Sequence, residues 1–135
     1  MKVFAAVNPE DGIRLCSSSG GVFTLLSHYV MGLGGVVCGA VFDKDFHVEH
    51  RIVDSCEALA LLRGSKYVYG RSAYIFATVK RYLDDGREVL FSGCPCQVAA
   101  LKKFIGADYQ NLFTVDIVCH GAPKGIYWEL YLQAY

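Results

Sequence analysis

From Leu15 to Phe42 the chain carries no Asp, Glu, Lys or Arg. A stretch this apolar has to be buried, in a membrane or in a protein core, and its punctuation decides which. Ser17-Ser18-Ser19-Gly20-Gly21 opens it, His28 sits inside it, and Gly34-Gly35 breaks it before the β-branched pair Val36-Val37. A membrane helix needs about 20 uninterrupted apolar residues, and this run does not supply them. The spacing of Val22, Leu25, Leu26, Tyr29, Val30 and Leu33 predicts a helix that stops at the glycine pair, followed by a buried strand over 35–42.

The rest of the chain repeats that alternation. Residues 2–7 read as a strand. Asp43-Lys44-Asp45 reads as a turn, with 46–53 as the hairpin partner. A short helix is expected from Ser55 to Leu62, then the glycine-punctuated loop RGSKYVYGRS, then a helix over 73–83 closed by Asp85-Gly86. A strand over 88–91, a helix over 95–105 and a strand over 112–119 complete the series. Strands alternating with helices predict an α/β sandwich with a mostly parallel sheet and one hairpin. At 135 residues one domain over 1–135 is expected. Ile126, Leu130 and Ala134 begin an amphipathic helix with no stop signal before Tyr135, so the domain is expected to continue further.

The charge balance narrows the function classes. Thirteen basic residues face thirteen acidic ones, which argues against a dedicated nucleic-acid or anionic-membrane binder. The apolar run before Asn8-Pro9 is too short for a signal peptide. The six cysteines are therefore expected in a reducing, cytoplasmic setting, as thiols or metal ligands and not as a disulfide framework.

Ligands of an open α/β sheet gather at the carboxyl ends of its strands, and four loops fall there. Ser17 to Gly21 precedes a helix N-terminus, whose free amides and dipole suit a phosphate; a small-residue helix cap is the competing explanation. Arg63 to Tyr69 offers the cations Arg63 and Lys66 beside the planar Tyr67 and Tyr69, or simply a solvated loop. In Gly93-Cys94-Pro95-Cys96-Gln97 two thiols stand at a strand-to-helix turn, where the helix dipole favours thiolate. Val118-Cys119-His120-Gly121 brings a thiol and an imidazole to the next strand in sequence. Converging thiols select an iron–sulfur cluster, zinc or copper(I), against the alternative of buried structural cysteines. Cys16, Cys38 and Cys56 stand alone, Cys38 as a small hydrophobe in a strand. His47, Glu49 and Arg51 share a solvated strand face, and His28 falls off its helix's apolar stripe. No P-loop, G-x-G-x-x-G turn or Ser-His-Asp pattern is present.

Taken in order, SSSGGVFT, RGSKYV, GCPCQ and VDIVCHG resemble the coenzyme F-420 hydrogenase/dehydrogenase beta subunit family, from about Leu15 onward. The resemblance implies an electron-transfer oxidoreductase carrying FAD and a [4Fe-4S] cluster. Electrons would pass between the cluster and a two-electron acceptor such as coenzyme F-420 or another carrier. It implies FAD contacts from Ser18, Ser19, Gly20, Gly21 and Thr24 in the first motif and Gly64, Ser65, Lys66 and Tyr67 in the second. It implies cluster ligation by Cys96 and Cys119, with Cys94, which departs from the family pattern, as a bystander or third thiol. The family's remaining C-x-x-C ligands are expected beyond Tyr135. The expected partners are ferredoxin-like proteins or hydrogenase and dehydrogenase subunits, with no nucleic acid and no membrane span. A metal- or cluster-binding interaction module without turnover is the alternative, and a Cys94/Cys96 thiol redox enzyme a weaker third.

Overall fold

The computed structural model describes residues 2–134. At its centre is a five-stranded sheet of β1 (Val36–Phe42), β2 (Val48–Val53), β3 (Gly70–Arg71), β4 (Val89–Gly93) and β5 (Leu112–Asp116). Their order across the sheet is β3-β2-β1-β4-β5. Strands β1, β4 and β5 run parallel, β2 returns antiparallel to β1, and β3 pairs parallel with β2. The helices are α1 (Asp11–Leu15), α2 (Val22–Gly32), α3 (Cys56–Leu59), α4 (Phe76–Asp84), α5 (Pro95–Ile105) and α6 (Gly125–Ala134). The architecture is the α/β one expected, mostly parallel with one hairpin. No helix among the described residues is long and apolar enough to cross a membrane.

Two cores follow from the period of two along the strands. Val36 and Cys38 of β1 and Val89 and Phe91 of β4 face one side, against Phe76, Val79 and Leu83 of α4 and Val98, Leu101 and Ile105 of α5. Val37, Val41, Val53 and Leu90 face the other, against Val30 of α2, Leu59 of α3 and Leu62. Each fully buried aliphatic side chain contributes roughly 1.5–3 kcal/mol, so the sheet centre is the stable part of the molecule.

Several expectations need correction. The stretch 2–7 is unpaired: β1 at the sheet centre is flanked by β2 and β4, and the segment joins neither outer strand. It lies over the loop before α2, where Asn8 N–H donates to Gly20 O at 2.6 Å. Helix α2 turns a different face inward from the one its apolar stripe predicts. Thr24, Ser27 and Val30 are buried, while Leu25, Leu26, Tyr29 and Leu33 are exposed. Small residues let the helix backbone approach the sheet, and Ser27 satisfies its hydroxyl by donating to Phe23 O at 2.8 Å. Strand β5 ends at Asp116, short of Cys119, because its partner β4 stops at Gly93 and the last rung is Ile117 N–H to Gly93 O. Helix α6 buries none of its described residues, and its expected stripe residues Ile126 and Leu130 are exposed. The five-residue α1 and two-residue β3 carry no readable period.

The topology sets up the site. Phe42, Gly93 and Asp116, the last residues of three parallel strands, lie on one edge of the sheet. Val48 and Gly70, the first residues of β2 and β3, join them through the pairings Phe42↔Val48 and Val48↔Gly70. Helix α2 reaches β1 through Gly34-Gly35 at the opposite edge, so its N-terminus returns to the carboxyl edge.

Candidate functional site

Strand β4 becomes helix α5 within a single residue, and local chemistry explains why. Pro95 has no N–H to continue the ladder, and its fixed φ suits the first helical position. Cys94 is the N-cap, extended at φ −65° and ψ 154°. The Gln97 Oε1 accepts from the Cys94 N–H at 3.0 Å, the side-chain return of a capping box, and the Gln97 N–H donates to Cys94 O at 2.8 Å. The Gln97 Nε2 then donates to Gly70 O at 3.0 Å, tying the turn to β3. Gly93 is needed there: a Cβ would stand 3.1 Å from Gln97 Oε1 and 3.2 Å from the Phe91 ring.

Cys119 arrives from the neighbouring strand. After the Ile117–Gly93 rung at 2.9 Å the chain leaves the sheet, and the Gly121 N–H donates to Cys119 Sγ at 3.4 Å. Cys119 lies close enough to Cys94 to act on its thiol, and Cys96 acts on it as well. Burial, then the Cys119 contact, then the neighbouring sulfur charges push the Cys94 thiol up to about 11. The dipole-favoured thiolate expected at this turn therefore does not extend to Cys94, where burial outweighs the helix. Cys96 and Cys119 are exposed. Cys38 lies in the first core as expected, its thiol pushed up by burial.

A [4Fe-4S] cluster takes four thiolates. Among the described residues no group of three or more His, Cys, Asp or Glu side chains is arranged to hold a metal ion. The thiols present among the described residues do not make a complete cluster site.

The two loops expected to hold FAD do meet. Ser65 N–H donates to Ser18 Oγ at 2.7 Å, and Arg63 Nε donates to the buried Thr24 Oγ1 at 3.3 Å. Within this joined surface some groups already have partners. A Cβ on Gly20 would meet Ala6 O at 2.8 Å, so the chain's own N-terminal segment accounts for that glycine. The Lys66 ammonium donates to Leu61 O, Leu62 O and Arg63 O at 3.4, 3.1 and 2.7 Å, and burial lowers its pKa. Gly21, at φ +72°, is the N-cap of α2 and supplies no side-chain cap. Ser19 is exposed, Gly64 has open space where a Cβ would project, and Tyr67 is 83% exposed. A phosphate or a flat ring would find its free groups there.

Several residues at this edge escape sequence reading. A cavity of about 370 Å³ lies between the start of β2, the loop before β3 and the loop carrying Cys119; His47, Tyr69, Arg71, Lys124 and Trp128 line it. His47 is not simply solvated: its Nε2 meets Glu129 Oε1 at 2.9 Å and its Nδ1 lies 3.7 Å from Asp43 Oδ2. Trp128 stacks on Phe42, with ring centroids 6.1 Å apart, and its Nε1 donates to Phe46 O at 2.8 Å. These contacts hold α6 to the hairpin. His50, fully buried on β2, stacks on Phe91 and shares a 3.1 Å hydrogen bond with Ser92 O. Its Nδ1 has no hydrogen bond of normal geometry, and burial holds its pKa below the usual imidazole range. The strict alternation Val48, His50, Ile52 was the signal that could have placed it inside. A larger cavity, about 460 Å³, lies where α5 meets β5 and carries no thiol or imidazole.

No protein-family model matches the sequence, and no curated protein matches it. The fold is similar to that of a chain in a solved structure described as "Xenon derivatization of the F420-reducing [NiFe] hydrogenase complex from Methanosarcina barkeri". The TM-score is 0.64 at 22% identity, covering 84% of this chain and 42% of that one. This chain thus spans less than half the length of its structural neighbour.

Proposed function

We propose that this chain is the flavin-and-thiol part of an electron-transfer oxidoreductase. In this reading Cys96 and Cys119 would supply part of the ligation of an iron–sulfur centre and the joined loops would hold FAD, serving a two-electron acceptor such as coenzyme F-420 or another carrier. One observation carries it: two thiol-bearing loops, Cys94–Gln97 and Ile117–Gly121, leave adjacent parallel strands at the same sheet edge. The fold shared with a chain of a hydrogenase complex supports it. Cys96 and Cys119 are the proposed soft-metal ligands, and Ser18, Ser19, Gly20, Gly21, Thr24, Gly64, Ser65, Lys66 and Tyr67 the proposed flavin surface. On that surface Tyr67 offers the ring face, and Ser19 and Gly64 the approach to phosphate. Thr24, Ser18 and Lys66 hold the two loops in shape. Bound FAD would supply the exchange between one-electron and two-electron carriers. The proposed partners are ferredoxin-like proteins or hydrogenase and dehydrogenase subunits, met in the cytoplasm.

A second reading, a metal-binding interaction module without turnover, draws on the internal engagement of Gly20 and Lys66. Flavin binding separates the two. Titrating FAD with the chain and following flavin fluorescence should give saturable quenching. Tyr67→Ala, which removes an exposed ring, should weaken it about tenfold, the scale of one lost stacking contact. Absence of saturable binding by the wild-type chain would leave the interaction module as the better account.

A further inference from the structure

Of the thiols on the two loops, Cys94 alone has no role in the reading above, and its surroundings point to one. The pairing Gly93↔Asp116 and the 2.9 Å rung from Ile117 N–H to Gly93 O bring the backbones leading to Cys94 and Cys119 alongside each other. Cys94 follows Gly93 directly and Cys119 lies two residues past the Ile117 rung, so the two thiols leave the sheet from neighbouring strand ends. Cys119 is turned back by the Gly121 N–H contact to its sulfur, and it lies near enough to Cys94 to raise that thiol. Cys96 is placed differently. One proline separates it from Cys94, and it starts a helix while Cys94 is extended.

We propose that Cys94 and Cys119 form a reversible disulfide, a redox-sensitive lock at the carboxyl edge of the sheet. The oxidant is a low-molecular-weight disulfide such as glutathione disulfide. The exposed Cys119, as thiolate, attacks one glutathione sulfur; that S–S bond breaks and one glutathione thiolate leaves. Cys94, its proton given to water, then attacks Cys119 Sγ in the mixed disulfide and expels the second glutathione. The protein loses two protons and two electrons, and glutathione disulfide gains them as two thiols. The bond withdraws Cys119 from metal ligation, and only this consequence rests on the function proposed above.

The test starts from the full chain, reduced and purified without oxygen. It is incubated with glutathione disulfide, then alkylated, and its free thiols and cross-linked peptides are counted. The expected result is loss of two of the six thiols, with one cross-link, Cys94 to Cys119, reversed by dithiothreitol. It should survive Cys96→Ser and vanish in Cys94→Ser and Cys119→Ser. Serine preserves the N-cap at position 94, so folding is retained and can be checked by circular dichroism. A cross-link through Cys96, persistent glutathione adducts, or no thiol loss would each overturn the proposal. Cadmium added to the oxidised chain separates the two levels. Undiminished thiolate absorbance beside an intact Cys94–Cys119 bond would overturn Cys119's assignment as ligand while leaving the disulfide standing.

Discussion

The two ends of the sheet are built to opposite plans. At the amino end the chain closes on itself. Val36 N–H donates to Glu88 O at 2.8 Å, the Arg87 guanidinium donates twice to Gly34 O while lying over the Tyr82 ring, and Asn111 Nδ2 bridges Leu83 O and Arg87 O. Among the described residues of this end, Glu88 Oε2 alone is buried without a partner. At the carboxyl end the thiols Cys96 and Cys119, the ring of Tyr67 and the loop from Ile117 to Gly125 stand exposed. The difference teaches where to look for function: one end closes over its polar groups, and the other, though braced by Gln97 and Lys66, leaves two thiols and a ring exposed.

Substitutions at the two ends should therefore fail in different ways. The largest effect is expected at the closed end, from Gly35→Ala. An added Cβ would stand 2.6 Å from Glu88 O and 2.7 Å from both Val30 O and Val30 Cγ1. Backbone on two sides cannot move aside, so urea unfolding should show a loss of about 3 kcal/mol, the upper part of the overpacking range. A loss under about 1 kcal/mol would mean that the amino end is looser than described.

Next comes Gln97→Ala, which removes the brace of the thiol turn at both its ends. Two hydrogen bonds of about 1 kcal/mol each are lost, so roughly 2 kcal/mol of stability should go, measured by the same urea midpoint. Gln97→Glu should restore the bond from Cys94 N–H but not the one to Gly70 O, recovering about half. Equal losses for the two variants would contradict the capping box.

The third effect is titration of His50, beneath the site. Its folded pKa is depressed by burial, so the neutral ring is the form the fold accepts. Its contribution is fully present above the unfolded imidazole value of about 6.5. It is lost as pH falls from there through the folded value, because the unfolded chain takes up the proton first. The urea midpoint should drop between pH 7.5 and pH 5.5, and His50→Phe should flatten that slope. A profile unchanged by the substitution would remove His50 as its cause.

The smallest global effect is expected from Phe42→Ala at the hinge between hairpin and α6. Trp128 is the only tryptophan in the sequence, so its fluorescence reports whether α6 is docked. Emission should shift to the red, and the α6 amides should lose hydrogen-exchange protection, while the α4 amides keep theirs. Loss of protection throughout would show that α6 is part of the core.

What could be read from the sequence divides along the same line. The strand–turn–helix of Cys94 was legible because Gly93, Pro95 and Gln97 act within a few residues of one another. That Cys119 comes to the same sheet edge was legible from the neighbouring strand; that the strand ends before it was not, because that depends on where β4 stops. The face of α2 was misread for a related reason: periodicity finds the bulkiest stripe, whereas close approach to the sheet selected Thr24 and Ser27. Motif order correctly brought the Ser18 and Ser65 loops together. It could not show that Lys66 spends its donors on three local carbonyls.

The central claim is that the two thiol loops act as one soft-metal site, with Cys96 and Cys119 as its ligands. Cadmium titration of the reduced chain, followed by thiolate-to-metal absorbance, tests it most directly. The account predicts a saturable band that Cys96→Ser and Cys119→Ser each weaken at least about tenfold, a cost of about 1.4 kcal/mol, and that Cys94→Ser leaves in place. A band lost with Cys94→Ser but kept with Cys96→Ser would contradict it.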